Sequence, residues 1–113
     1  MSAADALADR VRAQLPGGVS VREVRMFGTR SYLVDGALTV GARSDGGLLV
    51  RVDADRHAEL VARPGAAQAE MGTGRTMGAG WIEVAPSVLG SDAELAFWVG
   101  VALARNRATR SGR

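Results

Sequence analysis

Apolar residues recur at helical spacing from the start of the chain: Ala4, Leu7, Ala8, Val11 and Leu15 lie behind Ser2, with Asp5 three positions after that serine. The spacing predicts an amphipathic first helix that Pro16-Gly17-Gly18 ends, with Asp5, Asp9 and Arg12 on its polar side. The period then changes. Val19 and Val21 alternate with polar residues, and Val24 and Met26 resume the alternation one residue out of phase, which predicts a strand with a bulge near Arg22-Glu23.

Residues 31–34 and 37–42 are β-prone runs separated by Asp35-Gly36, a pair favoured in two-residue hairpin turns because both positions need positive φ. Ser44-Asp45-Gly46-Gly47 makes the next turn, and residues 48–52 a fourth strand with Arg51 pointing to solvent. Asp53 or Asp55 is placed to cap a short helix whose inward residues are His57, Leu60 and Val61, closed by Pro64-Gly65. Residues 68–71 read as a short strand, 72–80 as a glycine-rich loop and 81–84 as the last strand before Pro86.

Ser91 and Glu94 have the spacing of a capping box, and Leu95, Trp98, Val99, Ala102 and Leu103 form a stripe behind them. Phe97 and Val101 lie on the other side, so this helix is apolar nearly all round, and a second copy of the chain is expected to cover its second face. The order is α-β4-α-β2-α. It predicts an α+β fold, a two-layer sandwich with a mainly antiparallel sheet and helices on one face, over residues 1–104. Residues 105–113 are expected to be a basic, frayed tail.

The 113 residues make one domain, enough to bury about 65% of the unfolded chain's surface. With 47% hydrophobic and 23% charged residues the composition is that of a globular protein. All fourteen basic residues are arginine, which removes Schiff-base chemistry, a P-loop lysine and a lysine general base. There is no cysteine, so disulfides, thiolate nucleophiles and cysteine metal sites are excluded for this chain. The acidic start and the short apolar run of residues 95–104 suggest neither a secretory signal nor a membrane span, and a cytoplasmic location is expected. The net charge of +2 is uneven: ten arginines and all twelve acids precede residue 95, and four arginines with no acid follow it.

Candidate chemistry is sparse. The passage from Gly72 to Gly80 fails the dinucleotide and P-loop templates, since its spacing is wrong and it leads into a strand. A plain hairpin or connector is the main expectation, with an anion held by Gly74, Arg75 and Thr76 as the alternative. His57 is the only histidine and is expected to be structural. Trp81, Trp98, Phe27 and Tyr32 are expected in the core, with Met26, Met71 and Met77 filling gaps. Arg105, Arg107, Arg110 and Arg113 are the candidate nucleic-acid contacts, though arginines near a helix C-terminus also suit its dipole.

One set of short motifs spans most of the chain: Met26-Phe27-Gly28 after the first strand, a hairpin centred on Gly36, a leucine-rich strand ending at Asp53, Gly74-Arg75-Thr76-Met77, an aromatic strand from Trp81 to Pro86, and Leu95 to Trp98. This set resembles the N-terminal domain of the TfoX/Sxy family of bacterial competence regulators, from about Val19 to Ala104. The resemblance implies a two-layer α+β domain with no recognised catalytic residues and no cofactor, in which Met26, Phe27, Gly28, Gly36, Trp81, Pro86 and Trp98 hold structural positions. Two-domain regulators carry a helical C-terminal domain as well, and the sequence is expected to be a stand-alone version without it. It departs from the pattern at Gly28-Thr29, where a second glycine is common, and in having arginine where lysine is expected. The expected function is therefore non-enzymatic regulation through an unidentified protein partner, with self-association through residues 95–104 or a sheet edge. Nucleic-acid association through the arginine tail and binding of a small anion are the alternatives.

Overall fold

Strands that alternate inward apolar with outward residues build a six-stranded antiparallel sheet, and helices cover its inward face, in a computed structural model that describes residues 3–15, 17, 20–26, 29–72, 75–76, 78 and 80–112. For residues 3, 26, 71, 72, 75, 76 and 108–112 only the backbone is described. The chain runs α1 (Ala3–Gln14), β1 (Val21–Met26), β2 (Thr29–Val34), β3 (Ala37–Ala42) and β4 (Leu48–Arg51). A 3-10 turn (Ala54–Arg56) and α2 (His57–Val61) follow, then β5 (Ala66–Gln68), β6 (Glu70–Gly72), β7 (Arg75–Thr76), β8 (Trp81–Val84), α3 (Pro86–Leu89) and α4 (Asp92–Gly112). The sheet order is β1-β2-β3-β4-β8-β5, while β6 and β7 pair separately as a hairpin.

The inward face is one continuous core. Tyr32, Val40, Leu48, Val50, Ile82 and Val84 from the sheet meet Leu7, Ala8 and Val11 of α1, Leu60 of α2, Leu89 of α3, and Leu95, Trp98, Val99 and Ala102 of α4. The predicted spacing of α1 is observed: Ala4, Leu7, Ala8 and Val11 are buried and Asp9 and Arg12 are exposed. At the Asp35-Gly36 turn φ is +51° and +87°, the left-handed pair a tight hairpin requires. Of the capping box at α4, one arm forms, the Glu94 amide donating to Ser91 Oγ at 3.3 Å. The Glu94 carboxylate turns instead to Arg63 at 3.5 Å.

Four expectations are corrected. β1 has no bulge, its register with β2 running unbroken from Val21↔Val34 to Met26↔Thr29. The irregularity lies between β2 and β3, where Tyr32 pairs with Val40 and Leu33 with Leu38, leaving Thr39 as the extra residue. Residues 66–76 hold three short strands where one was expected, and the short helix α3 separates β8 from α4. Asp53 precedes the 3-10 turn without a side-chain capping bond. α4 runs on to Gly112, and buried Asn106 ties it to β2 by donating from Nδ2 to the Val34 carbonyl at 3.3 Å.

One polar cluster enters the inward face. The Arg30 fork donates from Nε and Nη2 to the two oxygens of Glu23, each at 2.9 Å, and from Nη1 to Asp5 Oδ1 at 2.7 Å, tying β1 and β2 to α1. Tyr32 beside it donates to the Ala8 carbonyl at 3.2 Å. The hydrogen bonds from Arg30 hold the Glu23 carboxyl below its ordinary value against the opposing effect of burial, while burial first and the Glu23 charge second push the Tyr32 phenol up. A carboxyl lowered on folding stabilises the fold above the ordinary carboxylate range, and that contribution disappears as pH falls through it. Glu23→Gln is therefore expected to lower the melting temperature at pH 7, with the gap to the wild type closing below about pH 4 in a series of melts.

Candidate interaction surface

Strand alternation that sends Leu48, Val50, Ile82 and Val84 inward sends their neighbours Leu49, Arg51, Trp81 and Glu83 to the opposite face. Register extends this face across the sheet: Gly41 lies opposite Leu49, Ser31 opposite Gly41, and Val24 opposite Ser31, with Leu33 and Leu38 paired beyond the bulge. Val24, Leu33, Leu38, Leu49 and Trp81 are each only partly covered, whereas their inward neighbours Val34, Val40, Val50 and Ile82 are buried. Every described helix contributes its buried residues to the core on the inward side. The outer face thus presents a row of apolar side chains across five strands, with the small Ser31 and Gly41 at its middle.

Its charges are unequal. Glu83 is held by Arg43 at 2.9 Å, while Arg22 and Arg51 have no carboxylate partner among the described residues. The Arg51 guanidinium lies over the Trp81 ring at 4.7 Å from its centroid. Trp81 is accordingly a partly exposed ring on the open face, a correction to its expected place in the core. Trp98 is fully buried as expected, edge-on to Phe97 at 5.2 Å.

The second apolar side expected on α4 is already in use. Leu95, Trp98, Val99, Val101 and Ala102 are buried in the chain's own core, and Arg63 covers Phe97 at 3.8 Å from the ring centroid. Within residues 95–104, Phe97 and Leu103 are partly covered, and the exposed flank of the helix is Ala93, Ala96, Gly100 and Ala104.

The remaining site residues scatter. Arg75 and Thr76 form β7 against β6, the hairpin expected of that passage, and their side chains lie outside the described set, as does Gly74. Arg105 is largely covered and stands 3.9 Å from Asp53, and Arg107 is exposed. Arg110 continues the helix backbone and Arg113 is outside the described residues. Met26 ends β1, Gly36 tips the hairpin and Pro86 begins α3, while Phe27, Gly28 and Met77 lie outside the described residues and the side chains of Met26 and Met71 with them.

His57 uses Nδ1 to accept the Gly80 amide at 3.1 Å, a structural tie between α2 and the start of β8. Among the described residues no group of three or more His, Asp or Glu is placed to hold a metal ion. A shallow hollow of about 180 Å³ between Arg43, Gly65, Glu83 and Pro86 is smaller than the 300 Å³ or so at which ligand pockets begin. No helix among the described residues is long and apolar enough to cross a membrane. In comparison with known proteins, the family described as the TfoX N-terminal domain matches residues 13–105. Neither a curated protein nor a solved structure gives a significant match.

Proposed function

The chain belongs to the TfoX N-terminal domain family, and from that premise we propose that it is a non-enzymatic, cytoplasmic regulatory domain that works by binding another protein through the open face of its sheet. The observation that carries the reading is the row of partly exposed Val24, Leu33, Leu38, Leu49 and Trp81 on a face against which no described helix packs. Isolated surface apolar residues are ordinary, but five on one face that no described helix covers favour a place where something docks. Tryptophan and arginine are the residues that most often dominate binding energy, and Trp81 and Arg51 stand together here. Because Arg22 and Arg51 lack carboxylate partners on this face, the fitting partner is a protein with an apolar surface and an acidic rim. The lack of cysteine suits a reducing cytoplasm.

The test is affinity capture from the extract of the source cell with three forms of the chain: wild type, Leu33→Asp with Leu49→Asp, and Ala96→Asp on the exposed flank of α4. A defined protein is expected to be retained by the wild type and by Ala96→Asp, and to be held about tenfold more weakly, or lost, by the double variant. Circular dichroism checks that the double variant is folded, and Leu33→Thr with Leu49→Thr replaces it if it is not. A retained set unchanged by either pair, or lost with Ala96→Asp instead, contradicts the reading. A second copy of the chain as the retained protein places self-association on this same face.

A further inference from the structure

We infer that β1 is a self-complementary edge strand: two copies of the chain pair antiparallel along it, about a two-fold axis at Val24, and join their sheets into one. The inference is independent of the protein-binding role, since it rests on backbone groups and charges at the rim of the sheet and leaves the outer face open.

Three observations carry it. First, the two edges of the sheet differ. β5 at one end is three residues long and leads through Ala69 into the β6–β7 hairpin, whereas β1 at the other is six residues long and pairs, among the described residues, with β2 alone. α1 packs over β2 and β3, with β1 beyond them at the rim. A long edge with unpaired backbone groups is a template for another strand, and most natural sheets shorten or block it.

Second, the register fixes which backbone groups line that edge. The Asp35 amide donates to the Ser20 carbonyl at 2.8 Å, so Ser20 turns its carbonyl toward β2, and the alternation of an unbroken antiparallel pair makes the backbone groups of Arg22 and Val24 do the same. The N–H and C=O groups of Val21, Glu23 and Arg25 therefore point away from β2, along the open edge.

Third, the side chains select one register. A two-fold axis perpendicular to a sheet keeps each face on its own side, so a residue on the axis meets its own copy and the flanking positions pair symmetrically. An axis at Arg22, Glu23 or Arg25 sets like charges directly opposite one another, which destabilises a strand pair. An axis at Val24 sets valine against valine and Glu23 of each copy against Arg25 of the other, and these two residues are the ones whose backbone groups point outward to be exchanged. The Arg25 side chain is 72% exposed, and its 3.7 Å approach to Glu23 of its own chain is a charge contact longer than a hydrogen bond. The Arg30 fork stays on Glu23 in this arrangement, and Arg22, exposed on the outer face, falls opposite Met26 with no like charge against it.

The experiment measures the mass of the full chain by sedimentation velocity across a concentration series, with hydrogen exchange of the Glu23 and Arg25 amides followed by NMR. A dimer that dissociates on dilution is expected, in which those two amides exchange slowly at high concentration and fast at low. Arg25→Glu sets acid against acid in both pairs and is expected to weaken the dimer about tenfold or more. Arg25→Pro removes the outward donor and no bond to β2, and is expected to leave a monomer. Circular dichroism checks that both variants are folded, and where the proline variant is not, the charge reversal and the amide exchange decide. Ala96→Asp, and Leu33→Asp with Leu49→Asp, are expected to remain dimeric, which separates failure here from failure of the docking face. A wild type that is monomeric at roughly 100 µM overturns the inference. So does a dimer that keeps its full strength in Arg25→Glu, one that is lost with Ala96→Asp or with the leucine pair, or one in which the Glu23 and Arg25 amides exchange as fast as in the monomer.

Discussion

Trp98→Ala is expected to lower the free energy of unfolding by about 3–5 kcal/mol, the cost typical of emptying a large buried aromatic site. Trp98 is fully buried and joins the helix layer to the sheet, with Phe97 and the Arg63 guanidinium packed around it. A domain of this size has about 5–15 kcal/mol in total, so the variant is expected to be close to unfolding at ambient temperature. Trp98→Phe separates size from polarity. The indole Nε1 is buried with no partner, so phenylalanine removes an unsatisfied donor along with part of the volume, and its cost is expected to be well under half that of alanine. Urea unfolding of the three proteins measures both values. Equal losses for alanine and phenylalanine would show that the indole nitrogen, not the packing, is what the site requires.

Gly65→Ala is expected to cost about 2–4 kcal/mol although it adds a single methyl group. Two effects combine. Gly65 has φ of +82°, where an L-residue is strained, and a Cβ there would lie 2.8 Å from both γ-carbons of Val88. The turn cannot shift freely, because the Gly65 carbonyl accepts the Ala85 amide at 2.8 Å and so ties the end of α2 to the start of α3. Adding Val88→Ala is expected to recover the steric part and leave the conformational part, about 1–2 kcal/mol. A double-mutant cycle by chemical denaturation gives the division. No recovery in the double variant would mean that the clash is relieved by backbone movement and that strain accounts for the whole cost.

The elements that sequence located well are those with local signals. α1 and the first turns of α4 have a helical stripe behind a cap, and the β2–β3 turn has a residue pair suited to positive φ. The errors arise where an inward position is polar or a run is apolar on both faces. Glu23 lies inward because the Arg30 fork neutralises it there, so the apolar alternation of β1 falls out of phase without the bulge that such a shift suggests. The true irregularity at Thr39 hides inside residues 37–42, where its hydroxyl donates to the Ala37 carbonyl at 3.0 Å and no alternation exists to be broken. Beyond Ala104 no apolar stripe remains to signal a helix, yet alanine and arginine support one and Asn106 secures it from a distance of 72 residues along the chain. The docking face itself was not legible. Leu33, Leu38 and Leu49 each have apolar residues on both sides or on one side in sequence, and only strand register separates those that enter the core from those that do not. The pairing of Arg51 with Trp81 and the approach of Arg105 to Asp53 are likewise contacts between distant parts of the chain.

The most direct test of the docking face is methyl NMR of the chain labelled at valine and leucine, titrated with the protein that the wild type retains. The resonances of Val24, Leu33, Leu38 and Leu49 are expected to shift or broaden as the partner is added, while those of Leu7, Val11, Leu95 and Val99 in the helix-side core stay in place. Perturbation centred on the exposed flank of α4, with the four outward methyl groups unchanged, would contradict the account.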